Sequence, residues 1–99
     1  MGSVPYWVYI LEVTTVEQKL TYYVGYTADL TKRITQHRLG KGARYTRGKQ
    51  VRLGYTETYG SRSDAMRRER ELKKLKKQEK AELVRNYSAL PKPDHSLEN

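Results

Sequence analysis

The run from Tyr6 to Val13, YWVYILEV, is the segment that most restricts how this chain can fold. Its β-branched and aromatic residues, interrupted by one carboxylate at Glu12, suit a buried or half-buried strand. A second run of the same character, LTYYVGY from Leu20 to Tyr26, follows the short polar stretch Thr14 to Lys19. Two such strands with so short a connection predict an antiparallel hairpin with a longer loop. Asp29 can cap a helix beginning at Leu30, because its carboxylate can accept the unpaired N–H groups of the first turn, and Gly40 and Gly42 would stop that helix. Val51 to Tyr59 alternates as a third strand. Ser61 or Ser63 can cap a helix through Ala65, Met66, Leu72 and Leu75, with a break and a further helical piece at Gln78 to Tyr87.

The predicted order is therefore β-β-α-β-α with a further α. That order describes an α+β domain with a small three-stranded antiparallel sheet flanked by helices. The domain is expected over residues 4–87, and residues 88–99, with Pro91 and Pro93, are expected to form a disordered tail. A chain of 99 residues has room for one domain with a modest core.

Composition narrows the function. The chain has no cysteine, which excludes thiolate metal sites, a cysteine nucleophile and disulfides, and agrees with a reducing, cytoplasmic setting. No stretch approaches the roughly 20 apolar residues of a membrane span, so no membrane role is expected. Twenty lysines and arginines against 11 acidic residues leave a net charge of +9, which should attract polyanions, nucleic acid above all. The loop Gly40 to Lys49, GKGARYTRGK, is glycine-punctuated and basic, as expected of a flexible surface loop facing such a partner. Nine tyrosines and no phenylalanine mean that nearly every aromatic ring carries a hydroxyl, and many of these rings can serve as core residues with a wet tip.

Trp7-Val8-Tyr9 in the first strand, Tyr23-Val24-Gly25 in the second, Arg33 and His37 on the following helix and Glu69 on the later one occur in the order of the GIY-YIG nuclease family. From roughly Tyr6 to Val84 the chain resembles the small stand-alone members of that family, with Trp7 standing where the first glycine is expected. The resemblance implies an endonuclease that uses Mg2+ or Mn2+ to hydrolyse phosphodiester bonds in nucleic acid, DNA ahead of RNA, in repair or recombination. A non-catalytic or partner-dependent nucleic-acid-binding module of the same fold is the alternative, and a protein partner could supply substrate specificity.

Phosphodiester hydrolysis needs an activated water, charge stabilisation at phosphorus and help for the leaving oxygen, so the site needs at least one carboxylate. On a helical wheel at about 100° per residue, Glu69 falls between Met66 and Leu72 on the apolar face, whereas Glu71 faces solvent. A carboxylate on a packed face needs compensation, and the wheel leaves metal ligation and an ion pair with a nearby arginine both open for Glu69. The resemblance favours metal ligation. Arg33 and His37 lie four residues apart, one above the other, and can reach one pocket; Arg33 offers a planar fork for the scissile phosphate unless it is a solvated helix charge. His37 could shuttle a proton or bond a phosphate near neutrality, or could be a boundary histidine bonded to a backbone carbonyl. By resemblance Tyr23 serves the nucleophile's side and Tyr9 gives a supporting hydrogen bond. Gly25 would let the nucleic-acid backbone or a neighbouring turn come close. Lys41, Arg44 and Arg47 in the loop would meet phosphates, with the Tyr45 ring free to stack or to join the site. Arg67, Arg68, Arg70, Lys73, Lys74, Lys76 and Lys77 would form a nonspecific backbone footprint or an ordinary charged helix face.

Overall fold

Strand β1 (Tyr6–Thr14) carries Val8, Tyr9, Ile10, Leu11 and Val13, all fully buried, and a strand buried on both faces has to lie in the middle of its sheet. The computed structural model, which describes residues 5–89, places it there. Strand β2 (Leu20–Thr27) and strand β3 (Gln50–Tyr59) pair with it antiparallel on either side, giving the sheet order β2-β1-β3. Between Ile10 and Leu11 the β1–β3 register shifts past Gly54, a bulge that adds local twist where a helix crosses.

Side chains alternate across the sheet, so each face of β1 builds its own core. Val8 and Ile10 join Val24, Ala65, Leu72 and Val84 beneath helices α2 (Arg62–Lys73) and α3 (Lys77–Ala89). Tyr9, Leu11 and Val13 join Ile34 of helix α1 (Leu30–Arg38) on the other face. The expected α+β domain, a three-stranded antiparallel sheet flanked by helices, is the architecture found.

The helix ends follow local chemistry. The Asp29 carboxylate accepts the Lys32 N–H at 3.1 Å and the Ser61 hydroxyl accepts the Asp64 N–H at 3.2 Å, so Ser61 rather than Ser63 caps α2. Gly40, at φ +78°, closes α1: its N–H donates to the His37 carbonyl and that of Lys41 to the Gln36 carbonyl, a Schellman ending. Helix α3 runs to Ala89, past the boundary expected at Tyr87; residue 4 and residues 90–99 of the expected domain and tail lie outside the described residues. No described helix is long and apolar enough to cross a membrane.

Candidate active site

Cross-strand register builds the first part of the site. Tyr9 on β1 sits directly opposite Gly25 on β2, and its ring lies where a Gly25 side chain would be, so that an added Cβ would come within 2.7 Å of the Tyr9 ring carbon Cζ. The group that needs the room at Gly25 is therefore the Tyr9 phenol, in place of the expected nucleic-acid backbone or turn. Gly25 keeps a place in the wall of the cleft that opens beside that phenol.

This cleft, about 580 Å3, lies between β2, the start of α1 and the inner side of α2. It collects Tyr9, Tyr23 and Gly25 from the hairpin, Arg33 from α1 and Glu69 from α2, residues separated by up to 60 positions in the chain. Glu69 is half-buried, as its wheel position required. Its partner is Lys73, one turn on, at 3.4 Å, rather than an arginine. Lys32, Gln36 and Arg62 also line the cleft and were missed by the sequence reading. Lys32 and Gln36 were findable, since each immediately precedes an expected site residue on α1; Arg62, the first residue of α2, gave no such signal.

His37 does not reach the cleft. It is fully buried one layer behind, because Gly42 and the turn Arg44–Thr46 fold over it; an added Cβ at Gly42 would lie 2.6 Å from its Nδ1. The two hydrogen bonds it makes fix its tautomer. The Thr46 hydroxyl donates its one proton to the Ala43 carbonyl at 3.1 Å, so Oγ1 accepts from His37 Nδ1–H at 2.9 Å. Burial, and then the positive charge of Arg33, push the His37 pKa below its ordinary value, which keeps the ring neutral at pH 7. Nε2 is then the acceptor for the Tyr9 hydroxyl at 3.1 Å. The expectations of a phosphate contact at His37, of a ring balanced between protonation states near neutrality and of a bond to a backbone carbonyl are all replaced by this Tyr9–His37–Thr46 chain.

The same chain sets the state of Tyr9. Burial and the neighbouring Tyr23 push its phenol up to about 12, opposed by Arg33, so it stays protonated at neutral pH with its hydrogen directed inward to His37. Tyr23 packs its ring edge-on against His37 and stacks on Tyr45 with centroids 5.9 Å apart.

The basic loop, expected to be a flexible surface loop, is anchored at Thr46, which is completely buried. Its cations Lys41, Arg44 and Arg47 are exposed and do not line the cleft. On α2, Arg68 leaves the expected backbone footprint. It forks onto Glu57 of β3, with Nε donating to Oε1 at 2.9 Å and Nη2 to Oε2 at 3.0 Å. Arg67 pairs with Asp64 and Lys73 with Glu69, whereas Arg70, Lys74, Lys76 and Lys77 point into solvent.

The donors around the cleft can be tested against a divalent cation. The described residues contain no cluster of three or more His, Cys, Asp or Glu side chains that could cage a metal. Of the two carboxylates in the cleft, Asp29 is committed to its helix cap, which leaves Glu69. A hard cation of the Mg2+ type keeps most of its waters and binds through one or two carboxylates plus substrate phosphate, and a single half-buried carboxylate in an open cleft fits that mode.

The chain has relatives among known proteins. A family model described as the GIY-YIG catalytic domain matches residues 5–82. A UPF0213 protein of Halalkalibacterium halodurans is 44% identical over 80 residues, covering 80% of this chain and 81% of its own length. A UPF0213 protein of Streptococcus agalactiae is 38% identical over 88 residues, covering 88% of this chain and 96% of its own. The solution NMR structure of a UPF0213 protein from Bacillus halodurans is 41% identical, with a TM-score of 0.50 over 86% of this chain and 87% of that one.

Proposed function

This chain belongs to the GIY-YIG family, and on that premise we propose that it is a divalent-metal-dependent endonuclease of the cytoplasm, hydrolysing phosphodiester bonds in DNA during repair or recombination. The observation that carries the reading is the convergence of Arg33, Glu69, Tyr9 and Tyr23 on one cleft whose wall includes Gly25.

Each residue takes the role its surroundings allow. Arg33 clamps the scissile phosphate, since its planar guanidinium matches phosphate oxygens and strengthens its hold as negative charge builds at phosphorus. Glu69, whose lysine partner is weakly held, would be the residue to hold Mg2+ or Mn2+. When bound there, such a cation would supply Lewis-acid stabilisation of the developing charge and of the leaving oxygen. Tyr23, whose ring is held between His37 and Tyr45, orients the attacking water from the nucleophile's side. Tyr9 is too weak an acid to serve as a phenolate base at neutral pH. It supports the water by accepting a hydrogen bond while its own hydrogen is held by His37, and it can take the water's proton only as it passes its own to Nε2. His37 is thus a positioning residue that acts through Tyr9.

The decisive experiment incubates the full chain with supercoiled plasmid and branched DNA in Mg2+, Mn2+ or chelator, and compares Arg33→Ala. Cleavage should appear only with metal, and Arg33→Ala should lower kcat about a hundredfold or more while binding weakens only a few-fold. Cleavage undiminished in chelator, or an Arg33→Ala defect confined to affinity, would overturn this assignment.

A further inference from the structure

A second depression, of about 240 Å3, crosses the outer edge of β2, the strand edge that the sheet order leaves unpaired. It is lined by Tyr22, Tyr23, Val24, Tyr45, Lys73 and Lys80; the nuclease reading uses Tyr23 directly and Tyr45 and Lys73 only as neighbours of Tyr23 and Glu69, and leaves Tyr22, Val24 and Lys80 without a part. Two contacts join it to the cleft. Tyr23 belongs to both, and Lys73 reaches from it to the Glu69 carboxylate at 3.4 Å.

Its floor is built for a flat, anionic ligand. Tyr45 is 41% exposed as a residue, yet its ring is held in place: it stacks on Tyr23 at 22° between planes, and its turn is pinned by the buried Thr46 bonded to His37. Lys49 rests its ammonium 4.2 Å from the Tyr45 ring centroid. A planar base can take over that ring face, and the displaced ammonium is then free for the phosphate of the same nucleotide. Lys73 and Lys80 supply two more cations on the helix side of the strand edge.

We propose that Tyr45 and this depression form a subsite for one unpaired DNA nucleotide beside the scissile phosphate. Its base would stack on Tyr45, and Lys49, Lys73 and Lys80 would meet the adjoining phosphates. A base inside a duplex already has both faces covered and must be extruded at a cost before it can reach a protein ring. An unpaired base lacks that cost, and base–aromatic stacking tolerates any sequence. The subsite therefore selects single-stranded, frayed or branched DNA over intact duplex. The inference rests on the nuclease reading only in placing the scissile phosphate in the neighbouring cleft.

The test measures binding in chelator, where no cleavage occurs, using the full chain and a DNA strand carrying 2-aminopurine, either single or annealed into a blunt duplex. Wild type and Tyr45→Phe should quench the probe in the single strand. Tyr45→Leu should abolish the quenching and weaken single-strand binding about tenfold, with duplex binding changed less than about twofold. Lys80→Gln, at a half-buried position of α3 outside the core, should flatten the single-strand log K against log salt slope by about 0.7 and serves as the second probe should Tyr45→Leu fail to fold. Equal weakening of both DNA forms by Tyr45→Leu, or an unchanged slope in Lys80→Gln, would overturn the subsite. Absent stacking with metal-dependent cleavage intact would reject the subsite alone; stacking without cleavage by wild type would reject the nuclease reading alone.

Discussion

Two constellations of tyrosine, glutamate and arginine are built on the same small sheet, and they end in opposite states. At the outer strand β3, Glu57 is saturated: Arg68 forks onto both carboxylate oxygens, the Tyr59 hydroxyl donates at 2.5 Å, and the Tyr55 hydroxyl donates as well. Burial alone would raise the Glu57 pKa, but Arg68, Tyr55 and Tyr59 outweigh it and hold it below the ordinary carboxylate value. At the cleft, Glu69 has one lysine at 3.4 Å with its ammonium largely in water, a contact of the class worth about 0.3–0.5 kcal/mol. A carboxylate whose lone pairs are all engaged holds the fold together. One left with a weak, replaceable partner can accept a cation from solution.

The largest effects should separate the two carboxylates completely. Glu69→Gln is expected to lower metal-dependent cleavage by at least about a hundredfold and to leave Tm nearly unchanged, because it removes the metal's charge partner but only a weak ion pair. Glu57→Gln should do the reverse, costing about 2 kcal/mol by leaving Arg68 without its forked partner, or roughly 10 °C in Tm, with cleavage at 25 °C retained. Parallel melting curves and plasmid assays on the two variants check this. Similar stability losses in both would erase the distinction.

Part of this contrast was legible in the sequence. The wheel position of Glu69 between Met66 and Leu72 depends on helical geometry alone, and it held. The central place of β1 emerges only from its burial on both faces, but the strands themselves were legible from their β-branched and aromatic runs. The Tyr9–His37–Thr46 chain was not, since it joins residues 28 and 9 positions apart through a loop whose composition reads as solvated. At Gly25 the sequence suggested approach by the nucleic-acid backbone or a turn, whereas the group found against it is the Tyr9 phenol, placed by a cross-strand register that the loop between β1 and β2 sets. Glu57 sits in an alternating strand, where an exposed carboxylate is ordinary; its forked arginine comes from another element.

Acid should sharpen the comparison with a smaller effect. Both His37 and Glu57 have folded pKa values depressed below the unfolded ones, so each contributes stability that is present above its unfolded pKa and lost as pH falls towards its folded pKa. The windows differ: the His37 loss begins below about 6.5 and that of Glu57 below about 4.3. Urea midpoints measured from pH 7 to 5 should fall in the wild type and stay flatter in His37→Gln, which can still bond Tyr9 and Thr46 but cannot take up a proton. An identical decline in both proteins over that range would remove His37 as its source.

The smallest effect concerns cations that belong to neither constellation. Lys41, Arg44 and Arg47 are exposed on a loop anchored by Thr46 and do not line the cleft. Arg68 carries the same charge, but Glu57 already neutralises it. If phosphates release counterions only to unpaired cations, log K for duplex DNA against log salt should have a slope of roughly −3 to −6 in the wild type. Neutralising the three loop cations together should flatten it by about 2 to 3 units, and should weaken all sequences alike because backbone contacts carry no base information. Arg68→Gln should leave the slope unchanged despite removing a full positive charge, since the charge it removes was never available to DNA. A slope change for Arg68→Gln as large as for one loop cation would show that the Glu57 pair opens on binding, and the division between the saturated and the available half of the molecule would then fail.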